Sequence, residues 1–331
     1  MEVEPLAETI QDFDFLKPLI TSIGIQKAIP AIAKNPVLMS KIESLVGKIQ
    51  THHKLILGDS RDLSDIPDDS IHLIVTSPPY WNLKKYRDSS GQMGNISDYE
   101  EFISELNKVW NECHRVLAKG GRMIVVVGDV CISRKQGGRH YVMPLHASII
   151  EGCRKIGFDN LTPIIWYKIA NATFEVSGGG GILGKPYEPN AVIKNDIEFI
   201  LMQRKPGAYR KPNTNTRILS TISQENHNKW FRQIWGDLPG ASTKNHPAPY
   251  PVELSNRLIR MFSFVGDTVL DPFLGTGSTV IAAAATGRNS IGVEVDPTYL
   301  EFAHNRIVQQ GIKVESPVKV KNFQTFLVED Y

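Results

Sequence analysis

Apolar and polar positions alternate along the chain with two periods, one typical of strands and one typical of helices. Short apolar runs with the length of buried strands occur at 54–59, 71–76, 122–129, 161–168, 196–202 and 290–296. Apolar residues recur at helical spacing over 98–117, 146–156, 251–262, 280–286 and 297–309. Strands that alternate with helices predict an α/β fold, with a doubly wound, mostly parallel sheet that is covered on both faces.

The first 50 residues have a separate helical pattern. Prolines divide this segment into short pieces, and apolar residues recur at helical spacing over 39–49. We predict a helical N-terminal extension over 1–50, whose role the sequence leaves open. Farther along the chain, the pair Gly120-Gly121 follows a basic residue and predicts the end of the helix at 98–117.

The composition is that of an ordinary globular protein, with 41% hydrophobic and 22% charged residues. No apolar stretch is long enough to span a membrane, and the acidic first residues lack the parts of a signal peptide. We therefore expect no membrane partner and a cytoplasmic location. Cys113, Cys131 and Cys153 have no CxxC spacing, which predicts neither a disulfide framework nor a zinc site. We expect no metal.

Basic residues cluster locally although the net charge is only +2. One run without acidic residues contains Arg204, Lys205, Arg210, Lys211 and Arg217. A second group follows the strand predicted at 122–129 and contains Arg134, Lys135 and Arg139. Such runs are more often solvated loops than binding surfaces, so they indicate a polyanionic partner only together with other signals.

A glycine turn between two predicted strands has the composition of a cofactor site. Gly275 and Gly277 let a ligand approach the backbone, and the helix behind them offers free N–H groups. Glu294 ends the next strand, where a carboxylate can accept hydrogen bonds from both ribose hydroxyls. Val280 replaces the third glycine of a dinucleotide site, which makes a dehydrogenase the least favoured alternative. Asp271 adds a negative charge that suits a cofactor with a positive amine.

The turn Ser77-Pro78-Pro79-Tyr80 follows directly on the strand predicted at 71–76. Its two prolines fix φ and donate no hydrogen bond, so the turn is rigid and nearby carbonyl groups can face a ligand. The carboxyl end of a strand is where ligands bind in open α/β sheets. Considered alone, this turn could equally well be a stiff loop without function. The separate glycine turn elsewhere in the chain favours its interpretation as a functional site.

These groups suit the activation of an amine that is bonded to an aromatic base. Such an amine is a poor nucleophile because its lone pair is delocalised into the ring. Ser77 Oγ and the Pro78 carbonyl can accept from its two N–H bonds and draw electron density onto the nitrogen. Tyr80 can stack on the base, which offsets part of the free energy of flipping that base out of a duplex.

Taken together, the motifs resemble those of the β group of DNA amino-methyltransferases over about residues 54–310. The resemblance rests on six segments in the family's permuted order, at 57–59, 76–80, 165–168, 246–251, 271–277 and 292–296. It implies the S-adenosylmethionine-dependent methyltransferase fold, S-adenosylmethionine as cofactor and double-stranded DNA as partner. It also implies a catalytic half at 51–169, a target-recognition region at 170–245 and a cofactor-binding half at 246–331.

The resemblance implies roles for individual residues. The catalytic motif is Ser77, Pro78, Pro79 and Tyr80. The implied cofactor contacts are Asp59, Thr76, His246, Pro249, Asp271, Phe273, Gly275, Gly277, Ser278, Thr279, Glu294 and Asp296. Trp166 and Tyr167 are candidates for stacking on the base, and only one can face it because neighbouring strand residues point to opposite sides. The predicted DNA contacts are Lys84, Arg134, Lys135, Arg139, Arg204, Lys205, Arg210, Lys211 and Arg217.

Ser77 favours methylation of cytosine N4 over adenine N6, because adenine enzymes of this family usually have Asp or Asn at that position. No cysteine follows a proline, which excludes a C5-cytosine enzyme. The expected reaction is direct methyl transfer without a covalent enzyme intermediate. An N6-adenine enzyme of the same fold, an RNA or protein methyltransferase and an inactive DNA-binding protein remain alternatives. A restriction endonuclease encoded separately, as in a restriction–modification system, and a homodimer are partners that the sequence leaves open.

Overall fold

The computed structural model describes residues 15–81, 87, 89, 91–168, 182–183, 189, 192–193, 195–240 and 250–319. The strands are β1 (His53–Leu57), β2 (Ile71–Thr76), β3 (Leu117–Val127), β4 (Val130–Ile132), β5 (Tyr141–Met143), β6 (Asp159–Tyr167), β7 (Ile182–Leu183), β8 (Val192–Ile193), β9 (Ile197–Arg204), β10 (Ile234–Trp235), β11 (Thr268–Asp271), β12 (Asn289–Glu294) and β13 (Glu315–Lys319). The helices are α1 (Lys17–Ile23), α2 (Ile25–Ala33), α3 (Pro36–Val46), α4 (Tyr99–Val116), α5 (Arg134–Gly137), α6 (Leu145–Ile156), α7 (Thr214–Leu219), α8 (Gln224–Trp230), α9 (Val252–Phe262), α10 (Ser278–Ala285) and α11 (Pro297–Gln309).

In the described part of the chain, nine strands form one sheet with the order β10-β6-β9-β3-β2-β11-β12-β1-β13. Neighbouring strands are parallel except at β9, which runs antiparallel to both β3 and β6. This confirms the predicted doubly wound, mostly parallel fold. We call the side where the parallel strands end the carboxyl edge and the opposite side the amino edge. Because β9 is reversed, it begins at the carboxyl edge and ends at the amino edge.

Alternate residues of the central strands belong to two different cores. Ile74 and Val125 pack in a core shared with α4 and α6. Val75 and Val126 pack in a second core, which is shared with α9 and α10. This burial on both faces is why the central strands have continuous apolar sequences. Among the described residues, no helix is both long and apolar enough to cross a lipid bilayer.

The N-terminal extension is helical, as predicted, over the residues that the structure describes. Ile32 and Ile42 of this extension are fully buried against Ile218 and Leu219 of α7 and against Val265, which precedes β11. Residues just before a parallel strand lie at the amino edge. The extension therefore packs on the side of the sheet that is opposite to the Ser77 turn.

The end of the long helix differs from the prediction. Asp98 caps α4 by accepting a hydrogen bond from Glu101 N at 2.8 Å, and the chain becomes extended directly at Leu117. The Gly120-Gly121 pair lies inside β3, where the register with β2 shifts. A Cβ at Gly120 would lie 2.5 Å from the Ala208 carbonyl oxygen, and φ there is 77°. Glycine is needed for this close approach of two backbone segments and does not mark the helix end.

Candidate functional site

The carboxyl edge brings the Ser77 turn and the glycine turn together. β2, which leads into the Ser77 turn, is a direct neighbour of β11, which leads into the glycine turn. β12, which ends at Glu294, lies on the other side of β11. A pocket opens at the ends of these strands, and its lining includes Asp59, Ser77, Pro79, Gly91, Met93, Phe273, Gly275, Glu294 and Tyr299. Motifs that are far apart in the sequence therefore share one pocket.

Glu294 places a largely buried carboxyl group in this pocket. One of its oxygens accepts a hydrogen bond from Gly275 N at 2.9 Å. The other accepts from the backbone N–H groups of Val295 and Asp296, at 3.1 and 3.0 Å. Burial raises the pKa of Glu294 to about 7, against the opposing effect of these N–H donors. The group therefore lies close to its titration point at neutral pH.

Asp59 follows β1 and lies on the pocket wall, paired with Arg61. Arg61 Nε donates to both carboxylate oxygens at 3.0 Å. Gly91 packs directly against this acid: a Cβ there would lie 2.8 Å from Asp59 Oδ2 and 3.0 Å from Val295 Cγ2. The segment from Gly91 to Met93 thus closes one side of the pocket. Sequence reasoning missed this contact, because the segment has neither a motif nor a periodic pattern.

Asp271 supports the glycine turn from behind and is fully buried. Its Oδ1 accepts from Thr76 Oγ1 at 2.7 Å and from Phe273 N at 3.1 Å. Its Oδ2 accepts from the Tyr250 hydroxyl at 2.8 Å and from Thr279 Oγ1 at 2.7 Å. Burial raises the pKa of Asp271, and these four donors act in the opposite direction. The network connects β2, β11, α10 and the residue that precedes α9 by two positions.

The pocket lining contains four of the predicted cofactor contacts, and a cofactor contact by the others stays a prediction. Those that line the pocket are Asp59, Phe273, Gly275 and Glu294. Those with buried side chains that do not line it are Thr76, Asp271, Ser278, Thr279 and Asp296. Ser278 Oγ donates to Tyr250 O at 3.0 Å, and Asp296 caps α11 by accepting from Thr298 N at 2.8 Å. Because hydrogen bonds within the protein already satisfy these groups, they support the pocket wall and do not form its surface.

Gly277 also has a structural part in the turn. It precedes α10 with φ at 78°, a conformation that favours glycine. A Cβ there would lie 2.9 Å from Ile307 Cδ1 on α11. Gly277 therefore allows α10 and α11 to pack closely behind the turn, whereas Gly275 lies at the pocket surface.

Ser77 and Pro79 face the pocket, while Tyr80 turns away from it into the protein. Ser77 Oγ donates to the Tyr80 hydroxyl at 3.3 Å, and that hydroxyl donates to the Val126 carbonyl at 3.4 Å. Tyr80 is buried in the core shared with α4. The predicted stacking of Tyr80 on a base remains a prediction; one edge of the ring lies near Gly128, where a Cβ would be 3.5 Å from Tyr80 Cε2.

Trp81 ends the turn in a strained conformation. Its φ is 45°, which is rare for a large side chain. Its ring packs edge-on against Tyr99, with 5.2 Å between the ring centroids. Its buried Nε1 has no hydrogen-bond partner among the described residues. Backbone strain of this kind concentrates at functional sites, where surrounding contacts hold it in place.

The two candidate stacking residues differ in their burial. Trp166 is fully buried, and its Nε1 donates to Leu238 O at 2.8 Å. It lies beside Trp235 of β10, its partner in the sheet. Tyr167 is 36% exposed at the end of β6. Trp166 is therefore buried where Tyr167 is partly exposed, and which of the two stacks on a base stays a prediction.

A buried ion pair that the sequence analysis missed lies beside Trp166, with Lys168 Nζ 4.8 Å from the centroid of that ring. Lys168 Nζ contacts Glu198 Oε1, and the two side chains are only 16% and 10% exposed. Glu198 is the second residue of β9, so it lies at the carboxyl edge. A Cβ at Gly128 would lie 3.4 Å from Glu198 Cγ and 3.5 Å from Tyr80 Cε2, which places the pair near the catalytic motif. An acid inside the apolar run 196–202 was the signal that could have indicated it.

The second basic group lies at the carboxyl edge. Arg134 and Lys135 are on α5 and Arg139 follows it, in the connection between β4 and β5 that comes directly after β3. All three side chains are exposed. Among the described residues none of them forms an ion pair, and the Arg139 guanidinium lies 5.2 Å from the Tyr141 ring centroid. Their charges are therefore available to a polyanion on the same side as Ser77.

The basic run over 204–217 lies at the other edge of the sheet, and its contact with DNA stays a prediction. β9 is reversed, so the chain that follows it emerges at the amino edge. Within this run, Arg204 forms an ion pair with Asp159, Lys205 with Asp69 and Arg210 with Asp267. Arg217 donates a hydrogen bond to Gln26, and the Lys211 side chain is exposed.

Three predicted site residues, Lys84, His246 and Pro249, lie outside the described residues. Within the described ranges, no group of three His, Cys, Asp or Glu side chains is arranged to hold a metal ion. Beyond the predicted set, Gly91, Met93 and Tyr299 line the pocket. Tyr299 lies in the first turn of α11, where the sequence showed only helical periodicity.

A comparison with known protein families identifies the family to which the chain belongs. The family model for N6 and N4 methyltransferases, described as DNA methylase, matches residues 71–305. The chain belongs to this family of DNA methylases. The DNA methylase is similar to the type II methyltransferase M.MjaI of Methanocaldococcus jannaschii, with 38% identity over 295 residues that cover 80% of this chain and 93% of that protein.

The methylase is also similar to the DNA adenine methyltransferase YhdJ of Escherichia coli, with 31% identity over 289 residues that cover 82% of this chain and 88% of that one. Among solved structures, TTHA0409 of Thermus thermophilus in complex with S-adenosyl-L-methionine has 48% identity and a TM-score of 0.67, and the match covers 82% and 99% of the two chains. The cytosine-N4-specific PvuII DNA methyltransferase shares the fold, with a TM-score of 0.57 at 18% identity over 80% and 89% of the two chains.

Proposed function

We propose that this DNA methylase transfers a methyl group from S-adenosylmethionine to the exocyclic N4 amine of a cytosine flipped out of double-stranded DNA. The observation that carries the proposal is the position of Ser77, which lines the same pocket as the glycine turn and Glu294. An amine held at Ser77 therefore lies beside the cofactor site. Direct transfer between two bound molecules requires this adjacency.

The pocket residues fit S-adenosylmethionine. Glu294 can accept hydrogen bonds from the ribose hydroxyls, and Gly275 lets the ligand approach the backbone. Phe273 offers an apolar surface for the adenine, and Asp59 offers an acceptor for its amine. When bound, this cofactor supplies an electrophilic methyl group on a sulfonium centre.

The protein's own part in the reaction is to position and polarise the amine. Ser77 Oγ can accept one N–H bond of the target, and the Pro78 carbonyl can accept the other. Both contacts favour a tetrahedral nitrogen with its lone pair directed at the methyl group. Preorganised acceptors of this kind stabilise charge that develops in the transition state, without reorganisation at the moment of reaction. The rigid Pro78-Pro79 pair fixes both acceptors in advance.

The base itself is held, in this proposal, between Ser77 and the end of β6. Tyr167 provides an exposed ring for stacking. The Lys168–Glu198 pair, beside Trp166 at the same end of β6, offers one donor and one acceptor to the polar edge of the base. A base that fills this space would displace water from the pair, which strengthens its hydrogen bonds.

Double-stranded DNA would lie on the carboxyl edge, against Arg134, Lys135 and Arg139. The connection between β6 and β9 leaves and re-enters the sheet at this edge, and the chain after β10 also leaves the sheet there. We therefore assign target recognition to these two parts of the region 170–245. The segment 204–230, at the amino edge, has a structural role instead. Relatives named type II methyltransferases support a separately encoded restriction endonuclease as a functional partner.

The decisive experiment incubates the purified protein with duplex DNA and S-adenosylmethionine and analyses the nucleosides by mass spectrometry. We expect N4-methylcytosine. N6-methyladenine would support the adenine alternative, which the similarity to YhdJ keeps open. Single-molecule sequencing of DNA from cells that express the protein would then give the sequence context.

Two controls separate the remaining outcomes. If calorimetry shows that the protein binds S-adenosylmethionine but the duplex DNA remains unmethylated, the proposal is contradicted. This result would favour an RNA or protein substrate. Absence of both binding and methylation would favour an inactive DNA-binding protein. The Ser77→Ala variant, which retains the cofactor pocket residues, provides the background for residual modification.

A further inference from the structure

A second cavity, of about 240 Å³, lies at the amino edge, on the opposite side of the sheet from Ser77. Its wall includes His72 at the start of β2, Arg122 in β3, Arg210 in the run after β9, and Arg260 and Phe262 at the end of α9. The cavity is much larger than one water molecule, whose share of liquid volume is about 30 Å³. It is therefore large enough for a small ligand.

Arg122 is the unusual member of this wall. Its Nε is buried and has no hydrogen-bond partner among the described residues, and its guanidinium forms no ion pair with them. The guanidinium stacks on Phe262, with 4.8 Å from Cζ to the ring centroid. A buried donor without a partner is costly, so such groups are usually satisfied by a ligand or by ordered water.

The acids near the cavity already have partners. Arg210 pairs with Asp267, and Arg260 donates to Glu43 Oε1 at 3.1 Å. Arg204, the partner of Arg122 across the β3–β9 pairing, forms an ion pair with Asp159. These contacts balance charge one for one, and they leave the positive charge of Arg122 uncompensated within the described residues. The excess charge in the cavity is therefore positive.

His72 adds a second donor. Its Nδ1 accepts a hydrogen bond from Thr268 N at 3.0 Å. Burial lowers the pKa of His72, so the ring is neutral near pH 7. A neutral ring that accepts at Nδ1 carries its proton on Nε2. His72 is one of the residues that line the cavity, and its Nε2–H has no hydrogen-bond partner among the described residues.

We infer that this cavity binds a phosphoryl group, either as inorganic phosphate or as the phosphate of a small monoester. The guanidinium fork of Arg122 matches two oxygens of such a group. His72, in the strand next to that of Arg122, provides a further donor among the lining residues, which suits an oxyanion with several acceptor oxygens. The site does not depend on the proposed methylation, because it shares no residue with the pocket at the carboxyl edge.

The test measures the binding of inorganic phosphate and of glycerol 3-phosphate to the full chain by isothermal titration calorimetry, with sodium chloride at matched ionic strength as reference. We expect saturable phosphate binding by the wild type. Arg122→Met should weaken it at least about tenfold, because a hydrogen-bonded charge contributes about 1.5–3 kcal/mol. Arg154→Met removes an exposed arginine of α6 that pairs with Glu151, and it should bind like the wild type.

Arg122→Lys keeps the positive charge but loses the guanidinium fork, so it should bind phosphate with intermediate affinity. This variant provides the test if Arg122→Met does not fold. Tighter binding of glycerol 3-phosphate than of phosphate would identify a monoester as the ligand, and equal binding would identify the free ion. The inference is overturned if phosphate binds no better than chloride. It is equally overturned if the two Arg122 variants and Arg154→Met all bind phosphate like the wild type.

Discussion

Thr76 Oγ1 donates a buried hydrogen bond of 2.7 Å to Asp271, although 195 residues separate the two in the sequence. Thr76 is the last residue before the Ser77 turn, and Asp271 is the last residue of the strand before the glycine turn. The bond therefore fixes the distance between the two halves of the proposed active site. Because transfer between bound molecules depends on that distance, this hydrogen bond links stability to catalysis.

Replacing Thr76 by valine tests this link. The change removes the hydroxyl at nearly constant volume and leaves Asp271 Oδ1 with only the Phe273 N–H. We expect a loss of about 1–3 kcal/mol in the free energy of unfolding, measured with urea. Thr286→Val is the matched control, since its buried Oγ1 donates to Ala282 O at 2.7 Å, away from the pocket. Only Thr76→Val should also lower turnover. An equal fall in turnover for Thr76→Val and Thr286→Val would show that the loss of stability alone is responsible.

Ser77→Ala tests the polarisation of the target amine. We expect turnover to fall by about 10²–10³, the effect of losing one preorganised hydrogen bond in a transition state. The affinity for S-adenosylmethionine should change little, because the proposed cofactor contacts Asp59, Phe273, Gly275 and Glu294 remain in place. Single-turnover methylation and calorimetry measure the two quantities, with the exposed Ser64→Ala as control. Full turnover by Ser77→Ala would remove this hydroxyl from the mechanism.

The raised pKa of Glu294 predicts how cofactor binding depends on pH. A carboxylate that accepts from ribose hydroxyls must be ionised, and in the free protein the pKa of Glu294 is about 7. Binding therefore releases a proton, and affinity should rise with pH up to about 7 and then level off. 5′-Methylthioadenosine is the suitable probe, because it has the ribose hydroxyls without a titrating amine. Glu294→Gln should bind more weakly and without this pH dependence.

The raised pKa of Glu294 also affects the stability of the protein without cofactor. Between the ordinary pKa of 4.5 and about 7, the folded chain binds more protons at Glu294 than the unfolded chain. Through this group, the free energy of unfolding should therefore fall as pH rises across that window. Saturating cofactor should reduce the fall. A pH profile of Glu294→Gln identical to that of the wild type would contradict the assignment.

Trp166 and Tyr167 should respond to alanine substitution in opposite ways. Tyr167→Ala removes an exposed ring and should leave stability nearly unchanged. Stacking contributes about 1–3 kcal/mol per base, so we expect about 5- to 150-fold weaker binding of the flipped base. Trp166→Ala empties part of the core and should lower the free energy of unfolding by about 3–5 kcal/mol. Fluorescence of 2-aminopurine beside the target base reports flipping, and thermal unfolding reports stability.

The two basic groups should differ in their effect on DNA affinity. Replacing Arg134, Lys135 and Arg139 by glutamine should weaken duplex binding and lower the slope of log affinity against log salt by about 0.9 for each phosphate that is no longer neutralised. The same change at Arg204, Lys211 and Arg217, on the amino edge, should leave both quantities unchanged. Fluorescence anisotropy over a salt series measures them. A larger effect from the second set would place DNA on the amino edge.

The sequence predicted the strands and helices around the site because each has a strong period. The apolar run at 71–76 coincides with β2, and the periodic segment 297–309 coincides with α11. The run at 204–217 shows where such reasoning fails. Its charge was visible, but its location depends on the reversal of β9, which the apolar run at 196–202 does not encode. A buried strand has the same apolar pattern in either direction.

The sequence by itself determined which chemical groups are present: the rigid Ser77 turn, the glycine turn with its downstream acid, and the order in which they occur. These features depend on local backbone chemistry and are therefore visible in a linear pattern. Only the tertiary structure decided which groups reach the pocket. It directed Asp271 inward to Thr76, buried Trp166 while exposing Tyr167, and paired Lys168 with Glu198. Burial and side-chain pairing depend on strand order and direction, which bring together residues that the sequence keeps far apart.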